Sequence, residues 1–96
     1  MPKGYLIGHI TVTNPDAYQE YVRRDTPVLE AHGGRFIVRG GASEVREGAF
    51  KDRHVVIEFP SLDAARTAYE DPDYQQIAGI RWDNADSDIL LVEGTE

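Results

Sequence analysis

A chain of 96 residues is enough for one domain spanning 1–96, and at that size only about 60–65% of the surface exposed by the unfolded chain is buried. Seventeen Asp and Glu against ten Lys and Arg leave a formal charge of −7, which repels phosphate backbones and anionic lipid and argues against nucleic-acid or membrane partners. No cysteine is present, so disulfides, thiolate metal sites and thiol nucleophiles are all excluded.

Tyr5 to Val12 is rich in β-branched and aromatic residues and alternates in period two, which predicts the first strand. Asn14-Pro15-Asp16 follows as a cap residue, a proline at the first helical position and an acid in the first turn. The first helix then carries Ala17, Tyr18, Tyr21, Val22, Val28 and Leu29 along one stripe and stops at Gly33-Gly34. Pro27 lies inside this run, removing an amide donor and crowding the carbonyl four residues back, so a kink or break is expected near Asp25 and Thr26.

Arg35 to Arg39 predicts the second strand, and Gly40-Gly41 after it permits a turn or bulge. Ala42 to Asp52 is expected to be a loop with a short extended edge near Val45. Arg53 to Phe59 alternates again and is stopped by Pro60; Ser61 caps a second helix with Leu62, Ala65, Ala68 and Tyr69 on its buried stripe. Asp71-Pro72-Asp73 ends that helix and restarts a short helical turn over Tyr74 to Ile80. Asp88 to Glu93 completes the pattern as a fourth strand.

The order β-α-β-β-α-β is that of an α+β, ferredoxin-like fold: a four-stranded antiparallel sheet with two helices on one face. With Leu6, Ile10, Val12, Val55, Ile57 and Phe59 turned to the helices, the opposite face carries Tyr5, Ile7, His9, Thr11, His54, Val56 and Glu58. Half of that set is apolar, so a second subunit is the expected cover and the chain is expected to be a homodimer. Met1 to Tyr5 lacks the basic and apolar regions of a secretory signal, and no apolar run approaches the ~18–20 residues that cross a bilayer. The expected location is cytoplasmic.

Gly33-Gly34-Arg35, Arg39-Gly40-Gly41, Glu47-Gly48, Glu58-Phe59-Pro60-Ser61, Tyr74 and Arg81 together resemble the family called domain of unknown function 1330, over Tyr5 to Gly94. The resemblance implies a dimeric α/β barrel, a superfamily that includes cofactor-free monooxygenases, isomerases and haem enzymes. The family has no established catalytic residues to carry over. The segment Tyr69 to Asp73 departs from it, because members often have a tryptophan near the first position and a serine nearer the third.

The candidate chemistry is sparse. Glu58, in the middle of an apolar strand, requires a partner, for which Arg39 or Arg81 is available; alternatively it is a proton acceptor in a pocket. Tyr18, Tyr21, Tyr69, Tyr74 and Trp82 are either core or the lining of an aromatic cavity, with Arg81-Trp82-Asp83 at its rim and Arg81 fit to hold a carboxylate or enolate oxygen. Arg39, Tyr74, Arg81 and Trp82 are therefore the expected ligand-binding residues.

His9 and His54 can meet across neighbouring strands and, with Glu58, would offer metal ligands, but their spacing has no metal signature and hydrogen-bonded packing is the plainer reading. His32 is expected to serve the end of the first helix. No phosphate-binding glycine loop, no Gly-x-Ser-x-Gly elbow and no stacking aromatics of an RNA-binding sheet are present. No cofactor is expected. Two functions fit: a small-ligand enzyme performing cofactor-independent oxygenation or isomerisation, and a non-catalytic dimeric ligand-sensing or interaction module.

Overall fold

The computed structural model describes all residues from 1 to 96. β1 (Gly4–Val12) lies between β3 (Arg53–Phe59) and β4 (Ala85–Glu93), and β2 (Arg35–Arg39) is the edge strand beyond β3, giving the antiparallel order β2-β3-β1-β4. Alternation along β1 sends Leu6 and Ile10 into the core beside Val55, Ile57 and Phe59. Tyr5, Ile7 and His9 stand on the other face, opposite Glu58, Val56 and His54 of β3 and Val92, Leu90 and Asp88 of β4.

Three helices cover the core face: α1 (Pro15–Ala31), α2 (Leu62–Glu70) and α3 (Pro72–Asn84). The expected short turn after α2 is thus a full helix of 13 residues, and the expected strand over Asp88–Glu93 starts earlier, at Ala85. Asn14 Oδ1 accepts the Ala17 amide at 3.3 Å, and Ser61 Oγ accepts that of Ala64 at 3.0 Å, so both predicted helix starts are made by side-chain caps. His32 ends α1 by donating its backbone N–H to Leu29 O, and its imidazole reaches Asp71, the cap of α3, at 2.6 Å. That imidazole and the Asp73 amide hold the Asp71 carboxyl below its usual range.

α1 does not break at Pro27. Tyr18, Tyr21, Asp25 and Leu29 are all buried and lie on both sides of the proline, so packing outweighs one missing backbone bond. Pro27 itself is exposed, on the solvent side of the helix, where a carbonyl without an amide partner costs least. No strand forms near Val45; residues 41–52 are irregular and exposed almost throughout, lacking any strand to pair with.

β2 carries one irregularity with consequences. Phe36 pairs with Ile57, yet Val38 pairs with Val56 and Arg39 with Val55, because Ile37 is an extra residue between them. Straight pairing would have set Arg39 opposite His54, on the uncovered face. The bulge turns it to the helix side instead.

The Cα positions extend only 16 Å in the thinnest direction, the depth of one sheet and one helix layer, so the second sheet face has no helix layer over it from its own chain. Replacing Pro27 with Ala restores an amide donor at an exposed helical position. Urea unfolding should show a gain of about 1–2 kcal/mol, the helix-interior cost of proline less its stiffening of the unfolded chain; a loss would mean that the proline is part of the helix packing.

Candidate functional site

A narrow cavity lies between α1 and the core face of the sheet. Gly8, in the middle of β1, contributes no side chain to its floor, and a methyl group there would come within 3.0 Å of Ile89 Cδ1. Tyr18, Tyr21, Val22 and Asp25 of α1 form one wall, and Arg39, Arg53 and Tyr74 close it. The space open to the centres of water-sized molecules is ≈ 20 Å³, enough for about one ordered water. Exposed Arg39 and partly exposed Phe36 and Val22 mark its mouth along the β2 edge, and Arg53 and Ile89 are also partly exposed.

Asp25 is the unusual group. It is 4% exposed, and burial drives its carboxyl up to about 6 against the opposing pull of Thr26, Arg39, Tyr21 and Arg81. Thr26 Oγ1 donates to Asp25 Oδ1 at 3.2 Å, and Arg39 Nη2 stands 3.8 Å from the same oxygen while donating to Thr26 Oγ1. One helical turn before Asp25, the Tyr21 hydroxyl shares a 2.8 Å hydrogen bond with that of Tyr74. Burial raises both phenols above their ordinary range, Tyr21 well above, so both stay protonated at neutral pH.

Arg81 stands behind this pair, 2% exposed, with its guanidinium carbon 5.6 Å from the Tyr21 ring centre and with Nε and Nη2 lacking any hydrogen-bond partner. Arg53 lies 5.6 Å from the Tyr18 ring centre, its Nε likewise buried and unpartnered. Gly40, at φ +67°, admits that guanidinium, because any Cβ there would collide with Arg53 Nη1 and lie 3.0 Å from Cζ. Three arginines and one aspartate surround the cavity, which is therefore cationic within an acidic protein.

The expected site residues divide between locations. Arg39 and Tyr74 line the cavity and Arg81 backs it, but Arg81 is buried and does not form a rim. Trp82 is 55% exposed and outside the cavity, because consecutive helical residues point about 100° apart and cannot share a wall. Tyr69 packs against Tyr74 behind the lining.

Glu58 lies on the opposite sheet face. It pairs there with Arg35 at 3.1 Å and accepts from the Tyr5 hydroxyl at 3.3 Å, and neither Arg39 nor Arg81 is its partner. Cross-strand register decides this: Arg35 is directly opposite Glu58, whereas Arg39 and Arg81 belong to the core side. His9 and His54 do meet, Nδ1 to Nδ1 at 2.9 Å, but Glu58 is four residues further along β3, ~13 Å away, so the three do not converge on one ion. Asp25, Arg53 and Gly8 are functional candidates that sequence reasoning missed. The available signal for Asp25 was an acid at the stripe position following Tyr18, Tyr21 and Val22, obscured by the expected break at Pro27.

The profile of the family described as Domain of unknown function (DUF1330) matches residues 3–95. No curated protein matches the sequence. Among solved structures, a protein of unknown function from Rhodopseudomonas palustris is 21% identical at a TM-score of 0.77, covering 99% of this chain and 84% of its own. The cofactor-independent oxygenase SnoaB from Streptomyces nogalater is 18% identical at 0.67, covering 100% and 96%. A dimeric ferredoxin-like protein of unknown function from Thermobifida fusca is 16% identical at 0.65, covering 96% and 91%. At these identities the likeness concerns the fold.

Asp25 lowers stability where it is ionised. Its folded pKa lies above the unfolded one, so the folded state holds the extra proton between about pH 4 and 6 and stability falls as pH rises through that window. Asp25→Asn should therefore stabilise the protein at pH 7.5 by up to about 3 kcal/mol, with the gain vanishing near pH 4. Paired urea titrations of the two proteins at both pH values measure it, and a pH-independent difference would contradict the assignment.

Proposed function

The chain belongs to the family described as Domain of unknown function (DUF1330), and we propose that it is a homodimeric small-molecule-binding protein whose α1 cavity performs cofactor-independent proton transfer on an enolisable organic substrate. The observation that carries this reading is Asp25: a carboxyl almost fully buried, pushed up to about 6, and surrounded by arginines and phenols. A base poised near neutrality is what abstraction of a proton next to a carbonyl needs. Arg39 and Arg53 hold the enolate oxygen that develops, Tyr74 and Tyr21 orient the substrate through their hydroxyls, and Arg81 stabilises the phenol pair from behind.

In the isomerase version Asp25 returns the same proton to a different carbon. In the oxygenase version the enolate carbon bonds dioxygen, the co-substrate, and the proton held by Asp25 completes a hydroperoxide; the similar SnoaB is named a cofactor-independent oxygenase. Asp25 takes the role that sequence reasoning assigned to Glu58, whose pairing with Arg35 and Tyr5 on the other face suits a strand-to-strand tie. The second reading, a non-catalytic ligand-binding module, is favoured by the narrowness of the cavity, since Phe36 and Arg39 must move before anything larger than about one water enters.

Dimer formation is supported by the uncovered apolar patch of Ile7, Val38, Val56, Leu90 and Val92, with Leu90 48% and Val92 42% exposed in the single chain. Sedimentation at micromolar concentration should give two chains per particle, and Leu90→Lys with Val92→Lys should shift it toward one. A wild-type monomer would remove the dimer from this reading.

For the chemistry, pentane-2,4-dione serves as the probe. Its methylene exchange in deuterium oxide, followed by proton NMR, should be accelerated by the protein and slowed at least ~10²-fold by Asp25→Asn. Saturable binding of the dione with no acceleration, unchanged in Asp25→Asn, would favour the binding module.

A further inference from the structure

The uncovered sheet face has a second region, distinct from its apolar patch. His54, His9 and Asp88 lie in one transverse row across β3, β1 and β4, because His9 pairs with both of the others in register. Phe50, from the irregular segment before β3, rests edge-on against both imidazoles, at 5.5 and 6.2 Å between ring centres. Lys51 beside it bonds Asp88 Oδ2 at 2.6 Å and lies 4.0 Å from Asp86. This end of the face is thus roofed by the chain's own loop, while the patch around Ile7 and Leu90 is not.

From this geometry we propose that His9 and His54 form a two-nitrogen chelating site for a divalent transition-metal ion of the copper or nickel type. Two imidazole nitrogens lie 2.9 Å apart with both rings only partly exposed. Nitrogens bound at ~2.0–2.1 Å to one ion and separated by that distance subtend about 90° at the metal. That is the angle between neighbouring ligands in tetragonal or square-planar coordination, and it is too acute for a tetrahedral zinc site. A modest swing of the two rings turns both lone pairs outward from their mutual hydrogen bond to a common point.

No third His, Asp or Glu is gathered with the pair, so the other positions fall to water. Hollows open on both sides of the pair, one bounded by Thr11, Lys51 and Asp88 and the other by Glu44, Glu47 and Arg46. Lys51 offsets Asp88 and Arg46 lies 3.9 Å from Glu44, so Glu47 and the overall charge of −7 are what favour a cation here. His32 is outside the site, engaged with Asp71 at the far end of α1. The α1 cavity is on the other side of the sheet, so this site stands or falls independently of the proton-transfer reading.

The test is titration of the full-length protein with copper(II) and nickel(II) salts by calorimetry. We expect one ion per chain, affinity weakening as pH falls because protons compete for the same nitrogens, at least a tenfold loss in His9→Gln and in His54→Gln, and no change in His32→Gln. Paramagnetic resonance of the copper-loaded, unsubstituted protein should show hyperfine splitting from two equatorial nitrogens, a readout that does not depend on the variants folding. Binding that survives in both single variants, a spectrum with fewer than two nitrogens, or no binding at all would overturn the site.

Discussion

Everything in this protein follows from the period-two alternation of β1, the strand that pairs on both sides. One set of its residues, Gly4, Leu6, Gly8 and Ile10, is buried against the helices; the other, Tyr5, Ile7 and His9, is not. A chain of this size can build only one helix layer, so the strand separates two environments instead of lying at the centre of one. The cationic cavity belongs to the first environment, and the histidine pair and apolar patch belong to the second.

The cavity concentrates groups that are costly to bury. Asp25 is destabilised as an anion by loss of water, and Arg81 and Arg53 carry buried donors without partners. A fold selected for stability alone would replace such groups with aliphatic side chains. Their burial around a glycine-floored space, with a tyrosine pair between them, is what the proposed proton transfer draws on. The bulge at Ile37 belongs to the same design, since it turns Arg39 toward Asp25.

Much of the architecture was legible because its determinants are local. Asn14-Pro15 and Ser61 act on amides within three residues, and the alternation in β1 and β3 requires no knowledge of partners. α3 reads as only a short turn in the sequence because its buried stripe, Tyr74, Ile77, Ala78 and Arg81, has helical spacing but ends on an arginine, while the apolar Ile80 and Trp82 lie off it. The site was legible only in fragments. Arg39, Tyr74 and Arg81 are expected from residue type and lie in or behind the cavity, but Glu58 pairs with Arg35 rather than with Arg39 or Arg81, which face the helix side, since strand pairing rather than sequence distance decides which charge faces which.

The sequence by itself determined the element order, the two faces of the sheet, the helix starts and the excess of apolar residues on an uncovered side, all properties of neighbours within a few positions along the chain. Only the tertiary structure decided that α1 runs unbroken through Pro27, that Asp25 is buried among arginines and phenols, and that Glu58 belongs to the other face. Those outcomes depend on what residues far away in the chain bring to the same place, and a buried charge takes its properties from that surrounding matter rather than from its own position in the sequence.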